Sequence, residues 1–98
     1  MTHNHKNIYF VGIGGTGMSA AAGLMKLSGA NVAGSDQRLY EPTNSILKQL
    51  KVPLYIPYKK ENITTTRADL YVIGNSLSQD NIEVQTIVEK NLPYTSFP

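Results

Sequence analysis

Short apolar runs alternate with helical patterns along the whole chain. Residues 8–13 are nearly all apolar instead of alternating with polar ones, which predicts a parallel strand covered on both faces. From residue 17 to 28, Met18, Ala21, Ala22, Leu24, Met25 and Leu27 form a broad helical stripe, and Gly29 suits the left-handed cap that ends such a helix. Gly23 falls inside this pattern at a cost of up to about 1 kcal/mol against alanine, and close packing of helix on sheet would explain it. Residues 31–36 predict a second strand and 37–42 a loop. Thr43 or Asn44 then caps a helix carrying Ile46, Leu47 and Leu50. Pro53 ends that helix at or before Val52, because a residue before proline avoids helical geometry. Residues 54–56 read as a short third strand. The polar stretch 58–68 reads as loop, with one helical turn near Asn62. Residues 69–74 predict a fourth strand. Asp80 with Glu83 three residues on resembles a capping box for a helix bearing Val84, Ile87 and Val88. A fifth strand begins at Leu92.

Strands alternating with helices at this spacing require a parallel sheet with right-handed crossovers. The predicted fold is therefore α/β, a Rossmann-like three-layer domain with a five-stranded sheet in the order 3-2-1-4-5. It would span residues 8–98 behind a flexible tail, residues 1–7. Such sheets take ligands at the switch point, where successive crossovers leave in opposite directions. Here that point lies between the first and fourth strands, so residues 12–19 and 74–78 should line a crevice.

A chain of 98 residues is one domain, small for a complete enzyme, and its 41% hydrophobic and 16% charged residues are ordinary globular values. The net charge of +2 is mild and the nine Lys and Arg residues are scattered, which argues against a nucleic-acid surface. The absence of cysteine excludes disulfides and thiolate metal sites and fits a cytoplasmic location. The polar N-terminus and the early glycines provide neither a signal peptide nor a membrane span. His3 and His5 lie in the tail and are not read as a metal site.

The chemistry concentrates in the turn after the first strand. Gly12-x-Gly14-x-x-Gly17 allows a sharp backbone turn that brings N–H groups close to a phosphate, and the following helix aims its positive end at the same anion. Asp36, nineteen residues beyond Gly17 and at the end of the second strand, stands where a carboxylate is expected to meet a ribose. Asn75, Ser76 and Ser78 serve either the turn after the fourth strand or the ligand. Tyr55, Tyr58 and Tyr71 read as packing residues with polar tips, and Lys59-Lys60-Glu61 as a solvated turn. The chain has no Gly-x-x-x-x-Gly-Lys-Ser/Thr loop for ATP and no histidine–acid pair beside a nucleophile. It should bind a nucleotide diphosphate without catalytic residues or a metal of its own.

Three segments together resemble the N-terminal domain of the Mur ligases: residues 11–19, Gly34-Ser35-Asp36, and residues 78–83 (SQDNIE). The glycine loop with its Gly-Met-Ser is similar to the alanine-adding branch of that family. Residues 40–43, 72–75 and 89–98 are similar to the murein-peptide branch. The resemblance implies one domain of a three-domain bacterial cytoplasmic enzyme, cut off where the linker to a central domain would begin. That enzyme would join L-alanine, or a recycled peptide, to the carboxylate of UDP-N-acetylmuramate through an acyl phosphate formed from ATP. ATP and Mg²⁺ would belong to the missing central and C-terminal domains. It further implies that Gly14, Gly15, Thr16 and Gly17, followed by Met18 and Ser19, cradle the diphosphate. Asp36 would sit near the uridine, with Asn75 and Ser76 flanking the nucleotide. Asn75 stands where the alanine-adding branch usually has serine, so the identity of the amine stays open.

Two rival classes share the glycine fingerprint. One is an NAD(P)-binding domain of an oxidoreductase, and the other is a nucleotide-sensing regulatory module without chemistry. Nucleotide preference separates them, with UDP expected for the ligase, a dinucleotide for the first rival and adenine nucleotides for the second.

Overall fold

In a computed structural model the protein is described over residues 6–97. Five strands alternate with four helices: β1 (Asn7–Val11), α1 (Thr16–Leu27), β2 (Asn31–Ser35), α2 (Thr43–Gln49), β3 (Leu54–Tyr55), α3 (Lys60–Thr64), β4 (Leu70–Gly74), α4 (Ile82–Glu89) and β5 (Tyr94–Phe97). All neighbouring strands pair in parallel, in the order β3-β2-β1-β4-β5, with Tyr9 opposite Ala33 on one side and Tyr71 on the other. This is the Rossmann-like α/β arrangement expected from the alternation of patterns.

The central strands are apolar on both faces because helices cover both. Ile8, Phe10, Val32 and Val72 meet Met18, Ala22 and Leu47 from α1 and α2. The intervening residues Tyr9, Val11, Tyr71 and Ile73 meet Ile63, Val84 and Ile87 from α3 and α4. The period of two in each strand thus divides one apolar run between two cores.

Several boundaries move. The first strand begins at Asn7, which pairs with Asn31 and so belongs to the sheet, and it ends at Val11, leaving Gly12 and Ile13 in the turn. His3, His5 and the rest of residues 1–5 lie outside the described residues. Residues 60–64 form a helix where a loop with one turn was expected. The predicted stripe on α1 is too broad: Leu24 is 70% exposed and Leu27 73%. At about 100° per residue Leu27 lies opposite Met18, so Met18 and Ala22 are buried, Ala21 packs beside them, and the far side of the helix stays exposed. The helix α2 begins after Pro42 with no side-chain cap from Thr43 or Asn44. Instead the Glu41 carboxylate accepts the Ser45 amide at 3.0 Å, and its hydrogen bonds from Ser45 hold its carboxyl below the usual range.

Gly23 does not touch the sheet. A β-carbon there would meet only Leu50 Cδ1, at an ordinary 3.5 Å. Gly23→Ala is therefore expected to stabilise the fold by up to about 1 kcal/mol, read as a higher urea midpoint. A lower midpoint would mean that the helix is packed too closely at this point for a methyl group.

Candidate functional site

The turn after β1 is built on glycine for steric reasons. Gly12 has a φ of +87°, a region that L side chains avoid. Its amide and that of Ile13 both donate to the Ser35 carbonyl at 2.9 Å, and the Gly15 amide closes the turn on the Gly12 carbonyl at 3.1 Å. The first hydrogen bond of α1 runs from the Ser19 amide to the Gly15 carbonyl, so the amides of Thr16, Gly17 and Met18 stand ahead of the helical ladder. Gly15 has no side chain to cap them, and the first turn carries no acidic residue. The end of α1 is therefore open to an anion from outside.

Asp36 follows β2 directly and ties three segments together. Its Oδ2 accepts the Gly14 amide at 2.8 Å, and its Oδ1 accepts the Gln37 amide at 2.8 Å and the Tyr58 hydroxyl at 3.4 Å. Burial, and then the charge of Asp36, push the Tyr58 hydroxyl above its ordinary range. A crevice of about 340 Å³ opens here. The glycine turn forms one wall through Gly12, Gly14 and Gly15, and the loop after β2 forms another through Asp36, Arg38, Leu39, Tyr40, Glu41 and Thr43. Tyr58, Ser76 and Leu77 complete it.

The expected site residues take different positions around this crevice. Gly14, Gly15, Asp36 and Ser76 line it. Thr16, Gly17 and Ser19 lie at the head of α1, where the Ser19 hydroxyl donates to the Thr16 carbonyl at 3.3 Å. The Met18 side chain is 3% exposed and packs in the core, and Met18 does not line the crevice. Gly17 has a packing role as well, since a β-carbon there would lie 2.6 Å from the Phe97 ring. Asn75 is exposed in the turn after β4 and is not part of the crevice wall, and the Ser78 hydroxyl accepts the Asp80 amide at 3.3 Å within that turn.

Tyr58 lines the crevice, although its position suggested packing alone. It lies just beyond the C-terminal end of β3, as Asp36 lies just beyond β2, and the C-terminal ends of parallel strands are where such sites gather. Its raised hydroxyl predicts an alkaline limit. The unfolded chain releases this proton near the ordinary tyrosine value of 10.0, while the folded chain retains it. The stability from this group is thus complete below pH 10 and falls as pH rises beyond it. Urea midpoints should stay level to about pH 9 and then decline, with a smaller decline in Tyr58→Phe. An identical decline in that variant would contradict the assignment.

Glu83 differs most from its expected role. It is fully buried, and α4 is capped by Asn81, whose Oδ1 accepts the Glu83 and Val84 amides at 2.9 and 3.2 Å. The Glu83 carboxylate turns inward. Its Oε1 accepts the Tyr9 hydroxyl at 3.1 Å and the Ser35 hydroxyl at 2.6 Å. Its Oε2 accepts the Lys59 amide at 3.0 Å and Asn62 Nδ2 at 2.8 Å. One side chain thus anchors the residues next to Asp36 and Tyr58, and with them the crevice. The burial of Tyr9 raises its hydroxyl far above the ordinary value, which keeps it a donor.

No described group of three or more His, Cys, Asp or Glu residues is arranged to hold a metal ion, and no described helix is long and apolar enough to cross a membrane. The model of the Mur ligase family, catalytic domain, matches residues 7–98. The chain is 35% identical over its full length to the UDP-N-acetylmuramate–L-alanine ligase of Lactobacillus acidophilus, of which it covers 22%. It is also 35% identical over 93% of its length to the UDP-N-acetylmuramate–L-alanyl-gamma-D-glutamyl-meso-2,6-diaminoheptandioate ligase of Escherichia coli, of which it covers 20%. The crystal structure of the corresponding ligase from Neisseria meningitides superposes with a TM-score of 0.90 at 34% identity, over 95% of this chain and 29% of that one. The chain therefore spans about a fifth of the length of the curated relatives it matches.

Proposed function

Since the chain belongs to the Mur ligase family, we propose that it is the part of such a ligase that holds the UDP portion of UDP-N-acetylmuramate. The observation that carries this reading is a crevice lined by Gly12, Gly14, Gly15 and Asp36, with Gly15 also standing at the uncapped head of α1. The amides of Thr16, Gly17 and Met18 supply donors to the diphosphate, while those of the glycine turn are spent on Ser35, Asp36 and Gly12 and hold the turn in shape. The helix end contributes about half a positive charge, worth about 0.3–2 kcal/mol to a bound anion. The Asp36 carboxylate has about four acceptor positions. Three are taken by Gly14, Gln37 and Tyr58, which leaves one for a ribose hydroxyl. The loop from Arg38 to Thr43 borders the remaining space, where the nucleoside would lie.

The work of these residues is to bind and orient. They hold the nucleotide end so that the muramoyl carboxylate is presented elsewhere for activation and attack by an amine. In the whole ligase ATP would activate that carboxylate as an acyl phosphate with the help of Mg²⁺. The described residues do not fit either group, because they include no metal cluster and the chain has no lysine-bearing phosphate loop, so no step through ATP or Mg²⁺ is assigned to it. A reaction driven by ATP in this way would lie in the cytoplasm. The amine is L-alanine or a peptide. Relatives of both kinds match at the same 35% identity, and neither is favoured by a residue of the crevice.

Calorimetric titration of the chain tests the reading. UDP and UDP-N-acetylmuramate are expected to bind at least tenfold tighter than NADH or ADP. Tighter binding of NADH would move the crevice to the oxidoreductase reading, and tighter binding of ADP to the regulatory one.

A further inference from the structure

A second cavity, of about 380 Å³, opens at the opposite end of the sheet from the crevice. Its origin is the shortness of α3. Five helical residues rise about 7.5 Å, whereas a five-residue strand spans about 16 Å, so one short helix cannot cover this face from end to end. The floor is formed by Tyr9, Ala33 and Tyr55, which lie on the same face of three adjacent strands. The rings of Tyr9 and Tyr55 stack with centroids 6.1 Å apart, and the small Ala33 leaves the space between flanking strands unfilled.

The rim is charged with one sign. Lys26, Lys51 and Arg67 line the cavity, and no acidic residue does. None of the three is in an ion pair among the described residues. Asp69, next to this rim in the chain, is engaged by the Asn7 amide at 2.8 Å.

Lys51 supplies an independent observation. Three helices end in the same way, with a left-handed residue whose amide, and the next one, turn back on the last carbonyls. On α1 that residue is Gly29, and on α4 it is Asn91, the two types that tolerate the conformation. On α2 it is Lys51, with φ of +60°. A long cation thus occupies a backbone position suited to glycine, at the one cap that borders the cavity.

We propose that this cavity is a second binding site, specific for a small organic anion with a flat apolar face, such as an aryl phosphate or carboxylate. The face lies against Tyr55 and Ala33, and the anionic group meets Lys51 and Arg67. The proposal is independent of the nucleotide crevice.

Phenyl phosphate is the probe, titrated into the ¹⁵N-labelled chain at low salt. Expected are shifts at Asn31, Lys51, Arg67 and Ala68, with an affinity at least fivefold above that of inorganic phosphate. Lys51→Gly should remain folded, since glycine suits the backbone there, and should bind phenyl phosphate at least fivefold more weakly. Arg67→Gln should weaken it by a similar factor, and UDP binding should not change in either variant. The proposal is overturned if the shifts fall only on the glycine turn, if inorganic phosphate binds as well as phenyl phosphate, or if Lys51→Gly binds the probe unchanged.

Discussion

Glu83→Ala is expected to cost the fold about 3–5 kcal/mol, because four neutral donors lose their shared acceptor at once. The substitution leaves four donors facing a void: the hydroxyls of Tyr9 and Ser35, the Asn62 amide group and the Lys59 backbone amide. Each unsatisfied donor costs about 1–3 kcal/mol, partly recovered where water can enter. A domain of this size has a total stability of about 5–15 kcal/mol, so the variant stands near the edge of folding. Glu83→Gln keeps the volume but turns an NH₂ group toward donors, and it should lie between alanine and the native chain. Urea unfolding followed by circular dichroism measures both. A loss below about 1 kcal/mol for Glu83→Ala would mean that the four donors have other partners in solution.

Gly14→Val is expected to weaken UDP binding by about a hundredfold, or about 2.7 kcal/mol, while leaving the core intact. A β-carbon at Gly14 would lie 2.6 Å from Leu39 Cδ2 and 2.8 Å from Asp36 Oδ2. The Leu39 methyl is the end of a flexible side chain and can give way. Asp36 cannot give way without losing its bond to the Gly14 amide and drawing on those to Gln37 and Tyr58. Valine therefore separates the two walls of the crevice and blocks the approach of the diphosphate. If a folded Gly14→Val chain bound UDP undiminished in calorimetry, the glycine turn would not be the diphosphate site.

The sheet order was legible because β1 and β4 are largely apolar runs between helical patterns, and right-handed crossovers then leave few arrangements. The crevice was legible in outline from Gly12, Gly14 and Asp36, whose spacing follows from local backbone geometry. What escaped depends on contacts between distant residues. Glu83 and Asn81 both stand at the start of α4, and local pattern favours the acid as the capping partner. Only the convergence of Tyr9, Ser35, Lys59 and Asn62, from 21 to 74 positions away for the three side chains, turns it inward. Tyr58 looked like packing for the same reason, since Asp36 is 22 positions distant. The exposed Leu24 and Leu27 show the opposite failure, in which a local apolar pattern has no partner in the described fold.

Whether the head of α1 holds the diphosphate is tested by an amide-resolved NMR titration of the chain with UDP-N-acetylmuramate, with NADH in a parallel series. Saturable shifts of the Thr16, Gly17 and Met18 amides, and of Asp36 and Ser76, are expected with the UDP sugar at concentrations where NADH has no effect. Shifts at those amides with NADH alone, or shifts with the UDP sugar that leave the head of α1 untouched, would contradict this placement of the diphosphate.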